Sequence, residues 1–227
     1  MDKNIIAKMI DHAVLKPDAA DLDVERECQI ALRLDIASVC VKPCHVKLAY
    51  SILKDSDVMV STVIGFPHGG TTTACKVAEA CEAIENGASE LDMVINIGKL
   101  LSGDYTYVKN DIEAVAKAAH SKNAALKVII ETALLDDERK RISSRLSEEA
   151  GADFVKTSTG FNGSGADPDD IVLIKNSVSS NMKIKASGGI KTLDQAVRFI
   201  ELGCKRLGTS STEQILTGKH KEDKSSY

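Results

Sequence analysis

The sequence predicts an α/β fold, a single-domain (β/α)8 TIM barrel, and three observations carry the prediction. Short apolar runs alternate with longer segments of helical period from one end of the chain to the other. The pairing of run and segment recurs eight times. The 227 residues fall inside the ~200–250 usual for this architecture. A doubly wound open sheet is the alternative, but it would stop at about five or six strands.

In order, Met9-Ile10-Asp11-His12-Ala13 is the first strand-like run, followed by an amphipathic segment at 24–34. Ser38-Val39-Cys40-Val41 comes next with its helix at 44–54, then residues 59–65 with 72–86. Leu91-Asp92-Met93-Val94-Ile95-Asn96 precedes 105–121, and Lys127-Val128-Ile129-Ile130-Glu131 precedes 137–150. Phe154-Val155-Lys156-Thr157, residues 183–187 and Arg206-Leu207-Gly208-Thr209-Ser210 complete the set, with helices at 168–178, 192–202 and 212–217. No linker or break in composition divides residues 1–218, so they are read as one barrel domain. The polar residues 219–227 are expected to form a flexible tail.

Composition narrows the function. A hydrophobic content of 43% and a mean hydropathy of -0.09 suit a chain that buries a full-sized core. The net charge of -4 and pI of about 5.8 offer no basic field for nucleic acid or an anionic membrane, which leaves a small molecule as the expected partner. The N-terminal stretch is broken by Lys8, Asp11 and Lys16 and fits neither a secretory signal nor a spanning helix, so a cytoplasmic setting is expected. The six cysteines lack C-x-x-C spacing and read as reduced, buried thiols. Cys40, Cys44 and His45 lack a second pair of ligands, so no metal site is expected.

In this fold active sites lie at the C-terminal ends of the strands. Lys156 sits within an apolar strand-like run, and strand alternation puts it on one face with Phe154 and Ser158. A buried ammonium is relieved by a lowered pKa, a carboxylate partner or both, and a neutral amine attacks carbonyls to form a Schiff base. The bland alternative is a lysine that buries its stem and sends its head to water. Lys185 on the neighbouring seventh strand can approach Lys156, and Asp92 on the fourth is an acid with reason to face a cation. A single acid and base would be the cheaper structural choice to bury. As a trio they make chemical sense: one amine attacks, the other cation lowers its pKa, and the carboxylate moves protons.

Ser187-Gly188-Gly189-Ile190 and Gly208-Thr209-Ser210-Ser211 follow strands seven and eight, where this fold usually binds phosphate, and each leads into a helical segment. Gly160 can add a backbone N–H to the same pocket. His68, in the loop after strand three, is given no role. Glu131, at the end of strand five, is either a second proton-handling group or a barrel salt bridge.

These residues resemble a known family. The octapeptide Phe154–Phe161, Leu91–Asn96, Lys185–Ile190, Ile10-Asp11-His12 and Leu15-Lys16-Pro17 are similar to deoxyribose-phosphate aldolases, and the likeness covers essentially the whole chain. The resemblance implies a class I aldolase, a lyase of deoxynucleoside catabolism that needs no metal or other cofactor and works as a homo-oligomer, a dimer or tetramer. It implies reversible cleavage of 2-deoxy-D-ribose 5-phosphate to acetaldehyde and D-glyceraldehyde 3-phosphate. On the same ground Lys156 is the Schiff-base lysine, Lys185 the tuning cation and Asp92 the proton relay. Gly160, Gly188, Gly189, Ser210 and Ser211 correspond to phosphate-site positions, Cys40 to a pocket cysteine and Asp11 to a member of the polar network. Tyr227 corresponds to a C-terminal tyrosine linked to proton transfer. Ala13 departs from the threonine of many relatives, at the position of a contact to a substrate hydroxyl. A transaldolase-like enzyme, a non-covalent phosphate-binding isomerase and an inactive sugar-phosphate sensor each share part of the pattern.

Overall fold

Eight parallel strands close into a barrel in the computed structural model, which describes residues 1–218. The chain runs α1 (Lys3–Ala7), β1 (Ile10–Val14), α2 (Asp21–Leu34), β2 (Ser38–Val41), α3 (Val46–Leu53), β3 (Met59–Ile64), α4 (Thr73–Glu85) and β4 (Glu90–Val94). It continues through α5 (Ile97–Leu101), α6 (Tyr105–His120), β5 (Ala125–Ile129), α7 (Asp137–Glu149), β6 (Phe154–Lys156), α8 (Pro168–Lys175), β7 (Lys183–Ser187), α9 (Leu193–Glu201), β8 (Arg206–Thr209) and α10 (Thr212–Thr217). Each strand pairs with its sequence neighbours, and β8 closes on β1 through Ile10 opposite Leu207. The tail and Tyr227 lie outside the described residues.

The helices form because their apolar residues recur at helical spacing and meet the outer face of the sheet. On α2 these are Val24, Cys28 and Ala31, and on α6 Val108, Ile112, Val115 and Ala119, all buried. Each valine or isoleucine among them contributes about 1.5–3 kcal/mol on burial. The strands' outward residues complete this layer, among them Val39, Leu91, Met93, Val128, Val155, Ile184 and Leu207.

Inward residues alternate with these and stack in layers of four, drawn from alternate strands. The lowest layer is Ser38, Glu90, Phe154 and Arg206, all buried. Arg206 grips Glu90 with both guanidinium nitrogens at 2.9 and 2.8 Å and lies 5.7 Å from the Phe154 ring centroid. Above it stand Asp11, Ser61, Lys127 and Lys185, and above those Cys40, Asp92, Lys156 and Gly208. The interior is therefore polar where the sheet's outer face is aliphatic.

Several elements depart from the sequence reading. Strand β4 ends at Val94 rather than Asn96, whose side chain instead accepts from the Lys99 N–H and caps α5. Strand β5 ends at Ile129, and Glu131 takes a left-handed conformation, φ 57. Only Cys28, Cys40 and Cys204 of the cysteines are buried; Cys44, Cys75 and Cys81 are exposed because they fall on outward helix faces or a loop. Burial pushes the thiols of Cys28 and Cys204 up to about 12.

Candidate active site

The two inner layers hold a connected set of charges. Asp92 lies on β4, and its Oδ2 accepts from Lys156 Nζ at 2.7 Å and from Lys185 Nζ at 2.6 Å. Its Oδ1 accepts from Lys127 Nζ at 2.9 Å. The strands impose this arrangement, since Lys156 and Lys185 are register partners across β6 and β7, and Asp92 is the partner of Lys127 across β4 and β5. Asp11 on β1 accepts from Lys185, from Arg206 and, at 2.6 Å, from the hydroxyl of Ser38. Lys127 reaches down to Glu90 at 2.6 Å, so the active layer is bonded to the layer that floors the barrel.

Among the described residues this interior contains four basic groups, Lys127, Lys156, Lys185 and Arg206, against three acids, Asp11, Glu90 and Asp92. Burial penalises every one of these charges. For Lys127, Lys185 and Arg206 the surrounding carboxylates outweigh it and the pKa is raised. Lys156 behaves differently. Burial pulls its pKa down, the adjacent Asp92 only partly offsets this, and the cation of Lys185 lowers it further. Asp92 and Asp11 are also penalised by burial, yet the cations around them hold both below the usual carboxylate range. Cys40 faces the same layer, and burial together with the charge of Asp92 pushes its thiol up.

Above the charges a cavity of about 870 Å³ opens at the C-terminal ends of the strands. Ala13, Gly160, Gly188, Gly189, Ser210 and Ser211 are among its lining residues. Gly188 has φ 89, and a side chain there would stand 2.9 Å from the Cα of Gly165, so the loops after β6 and β7 approach closely at this point. The Gly188-Gly189 turn does not lead straight into a helix. Helix α9 begins only at Leu193, and its capping box, Thr192 with Gln195, takes the N–H groups of those two residues. What faces the cavity after β7 is therefore loop backbone. After β8, Ser211 directly precedes α10, whose first residue Thr212 bonds through its hydroxyl to His12 Nδ1 at 2.7 Å. His12 Nε2 is 2.8 Å from Glu27, which moors this loop to α2.

Glu131 does not make the barrel salt bridge that was one of its two expected roles. None of the ion pairs among the described residues includes it, and its carboxylate instead accepts three hydrogen bonds from the loop after β6. His68 is exposed. Among the described residues no group of three or more His, Cys, Asp or Glu side chains stands close enough to hold a metal ion. The sequence reading missed Lys127, Glu90 and Arg206, and the available signal was a charged residue in phase with the inward positions of β5, β4 and β8.

A family model described as DeoC/LacD family aldolase matches residues 5–211. The chain is 50% identical over 219 residues to a deoxyribose-phosphate aldolase of Clostridium kluyveri, covering 96% of this chain and all of that one. It is 53% identical over 215 residues to that of Thermococcus gammatolerans, covering 94% and 96% of the two chains. Among solved structures it is similar to the tetrameric deoxyribose phosphate aldolase of Aeropyrum pernix, with a TM-score of 0.89 and 32% identity over 95% of this chain and 91% of that one.

Proposed function

The chain belongs to the DeoC/LacD family of aldolases, and on that premise we propose that it reversibly cleaves 2-deoxy-D-ribose 5-phosphate to D-glyceraldehyde 3-phosphate and acetaldehyde through an imine on Lys156. The observation that carries this reading is the surplus of one base in the barrel interior, combined with the lowered pKa of Lys156 alone among the three inner-layer lysines. With Lys156 neutral, the buried charges balance. The residue that relieves the surplus is then the one that attacks a carbonyl.

In the cleavage direction, neutral Lys156 adds to the C1 aldehyde of the open-chain sugar and water leaves. The protonated imine draws the electron pair of the C2–C3 bond, the C3 hydroxyl releases its proton, and C3 departs as the aldehyde of glyceraldehyde 3-phosphate. The enamine carbon C2 then takes a proton, and water hydrolyses the imine to free acetaldehyde and the amine. Asp92 carries the protons of these steps, because its Oδ2 contacts both Lys156 and Lys185. Lys185 keeps Lys156 neutral, and Asp11 keeps Lys185 in place and charged. Cys40 borders the reacting end. Gly160, Gly188, Gly189, Ser210 and Ser211 offer backbone and hydroxyl donors to the phosphate at the mouth. Ala13 has no hydroxyl to give the sugar.

Substrates of this class are small molecules, and no helix among the described residues is long and apolar enough to cross a membrane. We take the enzyme to work in the cytoplasm as a homo-oligomer, a dimer or a tetramer, which light scattering on the purified chain resolves. The chemistry is tested by reduction: acetaldehyde with borohydride should leave an ethyl group on Lys156, located by peptide mass spectrometry. Label on Lys185 or Lys127 instead would reverse the roles of the lysines, and no label on any lysine would end the imine reading.

A further inference from the structure

Glu131 is fully buried, carries a left-handed backbone that a non-glycine residue seldom adopts, and has no cationic partner among the described residues. Every bond its side chain makes goes to one short loop. Its Oε1 accepts from the Thr159 N–H at 3.1 Å, and its Oε2 accepts from the Thr159 hydroxyl and from Asn162 Nδ2 at 3.0 Å. The same Thr159 oxygen accepts from the Phe161 N–H at 3.0 Å, so one carboxylate orders the chain from Thr159 to Asn162. Asn162 reaches on to the carbonyl of Pro67 at 3.4 Å, and Phe161 packs edge-on against Phe66 with ring centroids 5.2 Å apart. Three loops of the mouth, after β3, β5 and β6, therefore meet through Glu131.

Between Thr159 and Asn162, the two residues Glu131 binds, lie Gly160, which borders the large cavity against Gly188, and Phe161, which forms part of its wall. Glu131 does not line this cavity. The Lys156 side chain is held by Asp92, and its backbone, with that of Thr157, is bonded to the backbone of Ile130 and Thr132, and the Thr157 hydroxyl to Ser187, rather than to the Glu131 carboxylate. The carboxylate is thus bonded to the rim and not to the charges below it.

We propose that Glu131 is a positioning residue for the phosphate end of the substrate, holding the Gly160 backbone and the Phe161 wall, which Phe66 braces from behind, in the geometry that receives the anion without touching the reacting atoms. The proposal rests on the aldolase reading above and adds a division of labour to it. Chemistry with a phosphate-free aldehyde depends on the charged layers, and recognition of the phosphorylated sugar depends also on Glu131.

The division is tested with Glu131→Ala, Glu131→Gln and, as the mildest break, Asn162→Ala, which removes a single link. The expected result is a rise in KM for 2-deoxyribose 5-phosphate of tenfold or more in Glu131→Ala, with kcat falling less. Competitive inhibition by inorganic phosphate should weaken in parallel. Glu131→Gln, which keeps one acceptor oxygen, should be intermediate, and Asn162→Ala should move in the same direction by a smaller factor. Borohydride trapping of acetaldehyde on Lys156 should proceed at the wild-type rate in all three. Equal losses in trapping and in phosphate recognition would reduce Glu131 to a general structural residue and overturn the proposal. Slowed exchange of acetaldehyde methyl protons with deuterium at unchanged phosphate affinity would make it a proton-handling group, and would also overturn it. An unchanged KM in Asn162→Ala and Glu131→Gln decides against it even if Glu131→Ala fails to fold. Absence of trapping in the wild-type protein would fault the aldolase reading instead.

Discussion

Lys156 and Lys185 donate to the same carboxylate oxygen, at 2.7 and 2.6 Å from Asp92 Oδ2. Burial penalises both ammonium groups, the one shared oxygen offsets only part of that cost, and their mutual repulsion adds to it, so one of them gives up its proton more readily. Lys185 has Asp11 as a second carboxylate and Lys156 has none, which decides which amine it is.

Replacing Lys185 by leucine removes a cation beside Lys156 and leaves Asp92 less neutralised, and both changes raise the pKa of Lys156. The fraction of neutral amine at pH 7 then falls, and the rising limb of the pH–rate profile moves to higher pH. Rates of acetaldehyde trapping between pH 5 and 10 check this. A profile that keeps its wild-type position would show that Lys185 does not set the protonation of Lys156.

Lys156 and Lys127 should differ in what their loss does to stability. Lys156→Met removes the surplus base and leaves Asp92 still bonded to Lys127 and Lys185, so the melting temperature should stay within a few degrees of wild type while activity disappears. Lys127→Met strips a partner from Asp92 and Glu90 together. Breaking a buried pair costs about 3–5 kcal/mol, and each kcal/mol lowers Tm by roughly 2–4 °C in a chain of this size. Calorimetry on the two variants separates them, and equal destabilisation would contradict the charge balance.

Asp92→Asn keeps the shape of the side chain but ends its proton traffic and its charge. Turnover should fall by at least about a hundredfold, within the range general acid–base catalysis supplies, while inorganic phosphate still binds at the mouth. Isothermal titration with phosphate beside steady-state kinetics reads both. Loss of phosphate affinity in step with turnover would show that the substitution disturbs the whole barrel.

Stability should fall on acidification in a defined direction. The folded-state pKa values of Asp92 and Asp11 lie below their unfolded values, despite burial, because Lys127, Lys156, Lys185 and Arg206 surround them. Below about pH 4, the ordinary carboxylate range, the unfolded chain binds protons that the folded one refuses, and unfolding becomes easier. Their contribution is complete above that range and is lost as pH falls through the folded values. Urea midpoints from pH 7 to pH 2.5 should drop mainly below about 4, and a charge-neutralised Asp11→Asn variant should show a shallower drop.

The barrel was legible because outward strand residues and helix faces repeat at their own periods, and the eight apolar runs mark the eight strands to within about two residues. What the linear pattern hid has a physical reason in each case. Glu90 and Arg206 occupy the first positions of their strands, where a charge reads as the solvated edge of a run. Lys127 opens its apolar run in the same way, and only barrel closure shows that all three face one interior. Helix α5 has five residues, too few to display a period. Glu131 was visible as an acid at a strand end, but its left-handed backbone, which removes it from the strand, depends on the loop it binds.

The floor of Ser38, Glu90, Phe154 and Arg206 makes the barrel a blind well. With that floor closed among the described residues, substrates and products of the proposed reaction would pass by the C-terminal mouth, and the traffic would queue. On the proposed imine mechanism the two-carbon fragment would be tethered to Lys156 at the bottom, with the phosphorylated three-carbon fragment above it. In cleavage, glyceraldehyde 3-phosphate must depart before water can reach the imine and before acetaldehyde can follow. In condensation the order reverses: acetaldehyde loads first, and a phosphorylated aldehyde that arrives early stands in its way.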